Sequence, residues 1–464
     1  MLRGTAVFAL VWVVARACVQ SITIDEADTY LCWVGRPSPS HWSAAANNHL
    51  LNSLLMRLFT DVFGLSHLSL RLPALIGAAI YIAMAYALCR RFAPDARLAW
   101  PLLVCLVYNP FILDHLVAAR GYALALAFLM VSLAVVSGKQ LDVRECGVCS
   151  VCAALSFAAN FAFAFVNAAL IGAVFLVACA RVRKLRERLR LLAACIAPGL
   201  VVSLFLSAPA VLNMSEEQLQ YGSHSLREML RTVAQASLFE LNPQIVNPVL
   251  LQWIGFATPF LVPAVLLLAA WQLRRRQPAF AYVLLGVLAA AISLHLGALK
   301  FRHLLLPKDR TAIWIVPLLT LAVGIVAANR RALNIMLYAM SIYFLLCLRI
   351  YYFKEWAWDA DMKEIYPVLA HYNHVYGVKD VAANWEYGSA LNVYRLMSGR
   401  ETLPEIPSPV EIQPGHAVYV LNYPFDEGFL RKEGLRVVYH GTTTDAVVAV
   451  RPEVACLAQA AQPR

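Results

Sequence analysis

A succession of apolar segments, each close to the length of a membrane-spanning helix, dominates the chain. Such a helix takes about 20 mostly apolar residues. Apolar residues make up 61% of the 464 residues, charged residues make up 14%, and the mean hydropathy is +0.63. Soluble domains are about half apolar and a quarter charged. The sequence therefore predicts an all-α polytopic membrane protein.

About eleven apolar segments are long enough to span the bilayer. They lie at residues 2–19, 72–92, 98–117, 122–136, 148–163, 165–180, 191–210, 250–271, 279–299, 311–328 and 333–350. Ala15-Arg16-Ala17 resembles a signal-peptidase site, but the arginine is a poor cleavage context. We therefore expect the first helix to be retained.

The charges between the spans predict the orientation of the chain. Short loops on the cytoplasmic side of a membrane protein carry an excess of Lys and Arg. With the N-terminus inside, the internal loops hold Arg90, Arg91, Arg97, Lys139, Arg144, Arg181, Arg183, Lys184, Arg186, Arg188, Arg190, Arg274, Arg275, Arg276, Arg330 and Arg331. The outer segments hold most of the remaining acids, including Asp25, Glu26, Asp28, Asp114, Glu216, Glu217 and Asp309. We expect a multi-pass protein of the plasma (inner) membrane, and the net charge of +11 reflects this topology rather than nucleic-acid binding.

Two domains are predicted. Residues 1–350 form a transmembrane module with long outer segments at 24–69 and 211–249, and each segment has an amphipathic stretch, at 47–63 and 225–239, suited to the membrane surface. After residue 350 the composition becomes mixed and polar. A helix at 359–372 and strands at 417–421, 436–439 and 446–450 are expected there. Residues 351–464 thus read as a small extracytoplasmic α/β domain.

Three acids follow the first span directly. Asp25 and Glu26 lie at the expected depth of the outer interface, and Asp28 lies within one helical turn of them. A carboxylate at a low-dielectric boundary is a stronger base than one in water, which suits a general base that takes a proton from an acceptor hydroxyl. The alternative is that these acids only reinforce the topology or cap a helix.

A second ionisable group lies at the outer ends of the third and fourth spans. Asp114 and His115 end one span, and Arg120 and Tyr122 begin the next. Ionisable residues at that depth are costly unless they are paired or functional, and a guanidinium suits a phosphate. The alternative is an ion pair between Asp114 and Arg120 at the helix ends.

A basic cluster violates the charge rule because it lies on the outer side. It consists of Lys300, Arg302, His303, Lys308 and Arg310. An anionic partner such as a lipid phosphate or pyrophosphate would explain it, since cationic groups stabilise the charge that builds on a leaving phosphate. The alternative is a solvated loop whose charges pair with Asp309 and other outer acids.

Asn47, Asn48 and His49 open the amphipathic stretch of the first outer segment. Asn is a favourable N-cap residue, so this run either starts the helix or provides polar contacts to a substrate. The cysteines lie mostly in or beside apolar spans, and neither zinc nor disulfide spacing emerges from them. No metal site is predicted from these residues.

The order of several short motifs resembles the GT-C superfamily of membrane glycosyltransferases. These motifs are Ile24-Asp25-Glu26-Ala27, Asn47-Asn48-His49 with the Leu-rich helix, Ser69-Leu70-Arg71-Leu72-Pro73, Ala119-Arg120-Gly121-Tyr122, and Pro307 to Arg310 before a span with Pro317. Within the superfamily, the sequence looks most like the branch of protein O-mannosyltransferases and the lipid A aminoarabinose transferase. The architectural resemblance covers residues 1–350 and does not extend to the C-terminal domain.

The resemblance implies an inverting glycosyltransferase that moves a hexose or pentose from a polyprenyl- or dolichyl-phosphate donor to an acceptor hydroxyl on a glycan, lipid or protein at the outer face. Asp25 matches the catalytic base and Glu26 its neighbour, while Arg120 and Arg310 match positions for the lipid phosphate. The candidate substrate-binding residues are Asn48, His49, Asp114, Arg120, Tyr122, Lys300, Arg302, Lys308 and Arg310. Some relatives hold a divalent metal ion, for which Asp25, His49, Asp114 and His115 offer ligand atoms; the cofactor is left open.

Two other functions compete with this interpretation. A transporter or flippase of a lipid-linked or anionic solute would place its ionisable residues near the membrane midplane and show repeated halves. Here those residues cluster towards one interface, and no repeat is evident. A non-catalytic membrane assembly protein would need no convergence of Asp25 with Arg120 and Arg310.

Overall fold

The computed structural model describes residues 1–36, 45–93, 95–138, 141–180, 182–215, 218, 221–239, 248–273, 278–399 and 402–455. Its α-helices are α1 Leu2–Val19, α2 Ile24–Thr29, α3 Leu50–Phe63, α4 His67–Phe92, α5 Ala96–Val107, α6 Pro110–Val117, α7 Tyr122–Val136, α8 Val143–Ala159, α9 Ala164–Cys179, α10 Leu185–Leu206, α11 Ala208–Val211, α12 Leu226–Ala234, α13 Pro248–Leu273, α14 Pro278–Arg302, α15 Ile315–Ala327, α16 Arg331–Leu346, α17 Met362–Tyr376, α18 Trp385–Met397 and α19 Tyr423–Lys432. The strands are β1 Val381–Ala383, β2 Val418–Asn422, β3 Arg436–His440 and β4 Ala446–Val450.

Every predicted span contains helix. Among the described residues, five helices are long and apolar enough to cross a membrane, or six if the bent pair α5 and α6 counts as one span. Shorter apolar helices lie at Tyr122–Val136, Phe256–Gln272, Ile315–Ala327 and Arg331–Leu346. The multi-pass class is confirmed, whereas the predicted number of about eleven spans and the orientation stay predictions.

The break between α5 and α6 has a local cause. Pro110 occupies the first turn of α6, and the Asn109 side chain accepts hydrogen bonds from the amides of Phe111 and Ile112. A residue before proline is disfavoured in a continuing helix, whereas proline is tolerated in the first turn of a new one. The axis therefore turns by 56° between the two helices.

The chain divides into two compact units. The first contains residues Met1–Val14, His41–Leu55 and Leu72–Leu348, and the second contains Ala15–Ser40, Met56–Arg71 and Arg349–Arg464. The second unit thus joins the end of α1, α2 and the first residues of α4 to the C-terminal residues. The sequence analysis assigned those N-terminal segments to the membrane module.

The second unit contains a four-stranded sheet in the order β1-β2-β4-β3. β1 and β2 are parallel, and the other neighbours are antiparallel, with a register irregularity between Val437 and Tyr439. β4 is buried along its whole length, as its unbroken apolar run predicts. Together with α17, α18 and α19, the sheet confirms a small α/β fold near the C-terminus.

Some residues that entered the sequence analysis lie outside the described residues. They are Lys139, Arg181, Arg274, Arg275, Arg276, Glu216 and Glu217. The predicted outer segments 24–69 and 211–249 are described in part. Within the second of these, the expected helix over residues 225–239 is present as α12 followed by a π-helical turn, Gln235–Phe239.

Candidate functional site

Helix α2 carries the candidate base in its first turn. Thr23 caps this helix: its hydroxyl accepts a hydrogen bond from the Glu26 amide at 3.1 Å, and Glu26 Oε2 accepts one from the Thr23 amide at 3.0 Å. This reciprocal capping box follows from the Thr-x-x-Glu spacing. A six-residue helix is too short to be stable by itself, so its position depends on what holds it.

Asp25 is 9% exposed, and the indole of Trp356 donates a hydrogen bond to its Oδ2 at 2.8 Å. This hydrogen bond fixes the orientation of the Asp25 carboxylate relative to Trp356. Trp356 itself is buried against Phe353. Sequence reasoning could not find this partner, because it lies 331 residues away in a stretch without a motif.

Glu26 forms a buried ion pair with Arg71. Arg71 Nε donates to Glu26 Oε1 at 2.8 Å, Nη2 donates to Oε2 at 2.7 Å, and both side chains have no exposed surface. Arg71 also donates to the backbone carbonyls of Ala17, Gln20 and Ser21. The guanidinium therefore joins the end of α1, α2 and the first turns of α4. The catalytic role predicted for Glu26 stays a prediction, and its contacts are those of a residue that positions α2.

Asp359 is a further buried acid beside α2. Its Oδ2 accepts a hydrogen bond from the Ile24 amide at 2.8 Å. Burial raises the pKa of the Asp359 carboxyl well above its usual value, and the carboxylates of Asp25, Glu26 and Glu386 raise it further. Such surroundings favour the protonated form of the carboxyl group. Asp359 is thus a buried acceptor for the first turn of α2.

In the first unit, the predicted motifs at residues 47–49 and 119–122 lie together. Arg120 Nη2 donates a hydrogen bond to Asn47 Oδ1, and Asn52 Nδ2 donates to the Ala119 carbonyl at 2.8 Å. The ring of Tyr122 lies 5.5 Å from that of His49 and 4.8 Å from that of His115. Two motifs separated by about 70 residues in sequence thus form one cluster.

A glycine makes this approach possible. Gly121 precedes α7 with φ of 72°, and a Cβ there would lie 2.0 Å from the Ala159 carbonyl oxygen. Only glycine adopts that backbone conformation readily and leaves room for α8.

The cluster is deeply buried: Asn48, His49, Asp114, His115, Arg120 and Tyr122 are each less than 5% exposed.

The basic cluster lies at the end of α14 and in the turn after it. Lys300, Arg302 and His303 are exposed, whereas Lys308 and Arg310 are partly buried. Lys308 Nζ lies 3.9 Å from Glu228 Oε1 on α12, so this lysine has the acidic neighbour that the solvated-loop alternative expected. His303 and Asp309 have φ of 55° and 47°, a left-handed conformation that is uncommon outside glycine but is enriched in His and Asp.

The second outer segment pairs with this turn. Ser223 and Leu306 exchange two backbone hydrogen bonds of 2.7 and 2.9 Å, and Tyr221 donates to Asp309 Oδ2 at 3.1 Å. Residues 221–232 therefore contact the turn that carries Lys308 and Arg310 and hold it by hydrogen bonds. No sequence pattern indicated this pairing.

The predicted site residues fall into the two units. Asp25 and Glu26 belong to the second unit, and Asn48, His49, Asp114, Arg120, Tyr122, Lys300, Arg302, Lys308 and Arg310 belong to the first. The convergence of Asp25 with Arg120 and Arg310 stays a prediction. Among the described residues, no three His, Cys, Asp or Glu side chains are arranged to hold a metal ion.

No protein-family model matches the chain, and no curated protein matches it. Among solved structures it is similar to ArnT from Cupriavidus metallidurans in the apo state, with 16% identity, a TM-score of 0.49, and coverage of 100% of this chain and 98% of that chain. The same protein bound to undecaprenyl phosphate matches with 14% identity, a TM-score of 0.47 and the same coverage. Archaeal oligosaccharyltransferase AglB from Archaeoglobus fulgidus, in complex with an inhibitory peptide and a dolichol-phosphate, matches with 13% identity, a TM-score of 0.39, and coverage of 92% of this chain and 70% of that chain.

Proposed function

We propose that this chain is an inverting glycosyltransferase of the plasma (inner) membrane that transfers a hexose or pentose from a polyprenyl-phosphate donor to an acceptor hydroxyl on the outer face. The observation that carries the proposal is the placement of Asp25. A carboxylate directly after the first membrane helix is held in a short capped helix by Trp356. An acid that only reinforced the membrane topology would not need a hydrogen-bond partner that fixes its carboxylate.

The reaction needs only a small set of groups. As the acceptor oxygen bonds to the anomeric carbon, the bond from that carbon to the phosphate oxygen breaks, and the acceptor proton passes to Asp25. The phosphate leaves as a stable anion and needs no general acid, whereas positive charge stabilises it as it departs. Arg120, Lys308 and Arg310 are the groups proposed for that stabilisation.

The neighbouring acids have contacts that support the choice of Asp25. Glu26 pairs with Arg71 through both carboxylate oxygens, and Asp359 is fully buried and accepts a hydrogen bond from the Ile24 amide. Both acids are therefore engaged in contacts that hold α2. Asp28 is partly exposed.

The first testable prediction concerns Asp25. Asp25→Asn is expected to lower transfer by about 10²- to 10⁴-fold, the usual contribution of a general base. The asparagine oxygen can still accept the hydrogen bond from Trp356, so the fold is expected to be retained. The matched control is Asp28→Asn, which is expected to keep activity.

The assay measures polyprenyl phosphate released in proteoliposomes from polyprenyl-phosphate hexose and pentose donors, with a cell-envelope extract as the source of acceptor. Full activity of Asp25→Asn would remove Asp25 as the base. Passage of intact lipid-linked sugar across the bilayer, without release of polyprenyl phosphate, would identify a transporter instead.

A further inference from the structure

The C-terminal sheet has one edge where chemically distinctive side chains collect. We define the carboxyl edge as the end of the sheet where the parallel strands β1 and β2 finish. By the strand register, this end of the sheet holds Asn384 and Trp385 after β1, Asn422 at the end of β2, Tyr423 after it, His440 at the end of β3 and Asp445 before β4. In open α/β sheets, ligands bind outside the carboxyl ends of parallel strands.

Exposed aromatic rings mark this edge. Trp385 is 48% exposed, Tyr423 is 41% exposed, and Phe425 in the first turn of α19 is 84% exposed. Tyr423 lies against His440, with 5.9 Å between the ring centres. Large aromatic side chains gain much from burial, so their exposure together at one edge indicates a surface that a ligand covers.

The polar groups at the same edge are mainly hydrogen-bond acceptors. Asp426 Oδ2 accepts from Asn384 Nδ2 at 2.9 Å and from the Asn422 amide at 2.8 Å, and Glu386 Oε2 accepts from Asn422 Nδ2 at 3.3 Å. The Asn422 Oδ1 atom is buried and has no donor among the described residues. A buried acceptor without a donor costs free energy, and a ligand that brings hydroxyl groups would supply the donor.

The combination of open aromatic faces and acceptor groups selects one class of ligand. A sugar ring presents an apolar face of C–H bonds, which suits the negative face of an aromatic ring, and a rim of hydroxyl donors, which suits carboxylate and amide oxygens. An anionic lipid surface would need basic residues instead. At this edge Asn384 and Asn422 instead donate hydrogen bonds to the carboxylates of Asp426 and Glu386, and Asp445 precedes β4 beside them.

The carboxyl edge is also close to α2 within the second unit. Helix α18, which begins at Trp385, packs against α2, and the Tyr394 hydroxyl on α18 accepts a hydrogen bond from the Ile22 amide at 2.9 Å. Glu386 and Asp25 both act electrostatically on Asp359. The edge and the candidate base are therefore attached to the same helix.

We infer that the carboxyl edge binds a carbohydrate through Trp385, Tyr423 and Phe425, with Glu386, Asn422 and Asp426 as hydroxyl acceptors, and that this carbohydrate is part of the acceptor. The second half of the inference rests on the proposed transferase function, whereas carbohydrate binding does not. It narrows the acceptor from a glycan, lipid or protein to a molecule that carries sugar residues. It also gives the C-terminal residues a role in acceptor recognition.

The test uses the full chain in nanodiscs and three neutral probes: mannotetraose, chitotetraose and maltotetraose. Saturation-transfer NMR and tryptophan fluorescence are expected to show binding of at least one probe with a Kd of about 1 mM or below. Trp385→Ala and Phe425→Ala should each weaken that binding by about fivefold or more. Tyr351→Ala removes an exposed aromatic ring of the same unit outside this edge, and we expect it to bind as the wild type does.

The Asp25→Asn variant separates the two proposals. It should bind the tetrasaccharide with unchanged affinity while its sugar transfer falls by about 10²- to 10⁴-fold. If the transferase proposal is wrong, binding at the edge persists and remains sensitive to Trp385→Ala. Absence of binding by all three probes at 10 mM (about ten times the expected Kd), or unchanged binding in both edge variants, would overturn the carbohydrate inference even where transfer activity is intact.

Discussion

Arg71 is the residue on which the position of α2 depends most directly. Its guanidinium is fully buried, pairs with both oxygens of Glu26 and donates to three backbone carbonyls. Removal of one partner from a buried ion pair costs about 3–5 kcal/mol, because the other charge is left uncompensated. We therefore expect Arg71→Met to lower the thermal unfolding midpoint of the purified protein sharply and to abolish transfer with it.

A double variant distinguishes the ion pair from simple loss of packing. Glu26→Gln together with Arg71→Met removes both charges, and replacement of a buried pair by uncharged groups is often nearly neutral. The double variant should therefore unfold at a higher temperature than Arg71→Met alone. An equal or lower midpoint would show that the hydrogen bonds to Ala17, Gln20 and Ser21, rather than the charge pairing, dominate the contribution of Arg71.

Asp359 gives the second unit a defined pH dependence. Its folded-state pKa is raised, so the folded protein binds this proton more tightly than the unfolded chain. The resulting stability is fully present below the unfolded-state pKa of about 4 and is lost as pH rises through the folded-state value. Asp359→Asn keeps an acceptor for the Ile24 amide and should flatten this decline. The measurement is the thermal unfolding midpoint of the wild type and of Asp359→Asn between pH 5 and 9. Midpoints that fall in parallel with pH would contradict the prediction.

At the scale of elements, the cluster at Arg120 depends on how α7 begins. Gly121 must adopt a left-handed conformation against the Ala159 carbonyl. Gly121→Ala should therefore cost at least about 1–2 kcal/mol from the backbone conformation alone, with a further cost as α8 moves away. Gly172→Ala is the control, because nothing lies within 4 Å of its added Cβ and it lies inside a helix. Unfolding midpoints and binding of polyprenyl phosphate provide the measurements; equal behaviour of the two variants would contradict the prediction.

The elements were predictable from the sequence to the extent that they depend on local pattern. Apolar length identified the membrane helices, and apolar runs between turns identified β2, β3 and β4. β1 is only three residues long, and α18 has a mixed composition, so neither has a periodic pattern long enough to indicate it. The residues that hold α2 were not predictable, because Trp356 and Asp359 reach it from more than 330 residues away.

In the candidate site, too, only the residues marked by a local sequence pattern were predictable. Asp25 could be selected because its position after an apolar span is a local property, and Arg120 because a charged residue at a span end is costly. The partner of Glu26 had a signal that sequence reasoning did not use: Arg71 is a lone charge at the start of an apolar helix, and a buried charge of that kind requires a partner. The docking of residues 221–232 on the basic turn left no signal in the sequence.

At the scale of the whole molecule, the orientation that the charge map predicts decides where the proposed chemistry takes place. The basic loops predict a cytoplasmic face at Arg97, and the C-terminal unit is predicted on the opposite, outer side. We expect a membrane-impermeant maleimide to label Phe425→Cys in intact spheroplasts and to label Arg97→Cys only after permeabilisation. Both positions are exposed. Among the described residues the exposed native cysteines are Cys18 and Cys32. They are replaced by serine beforehand, as is Cys456, which lies outside the described residues. The reverse pattern would place Asp25, which shares a unit with Phe425, on the cytoplasmic side and would require a cytoplasmic sugar donor.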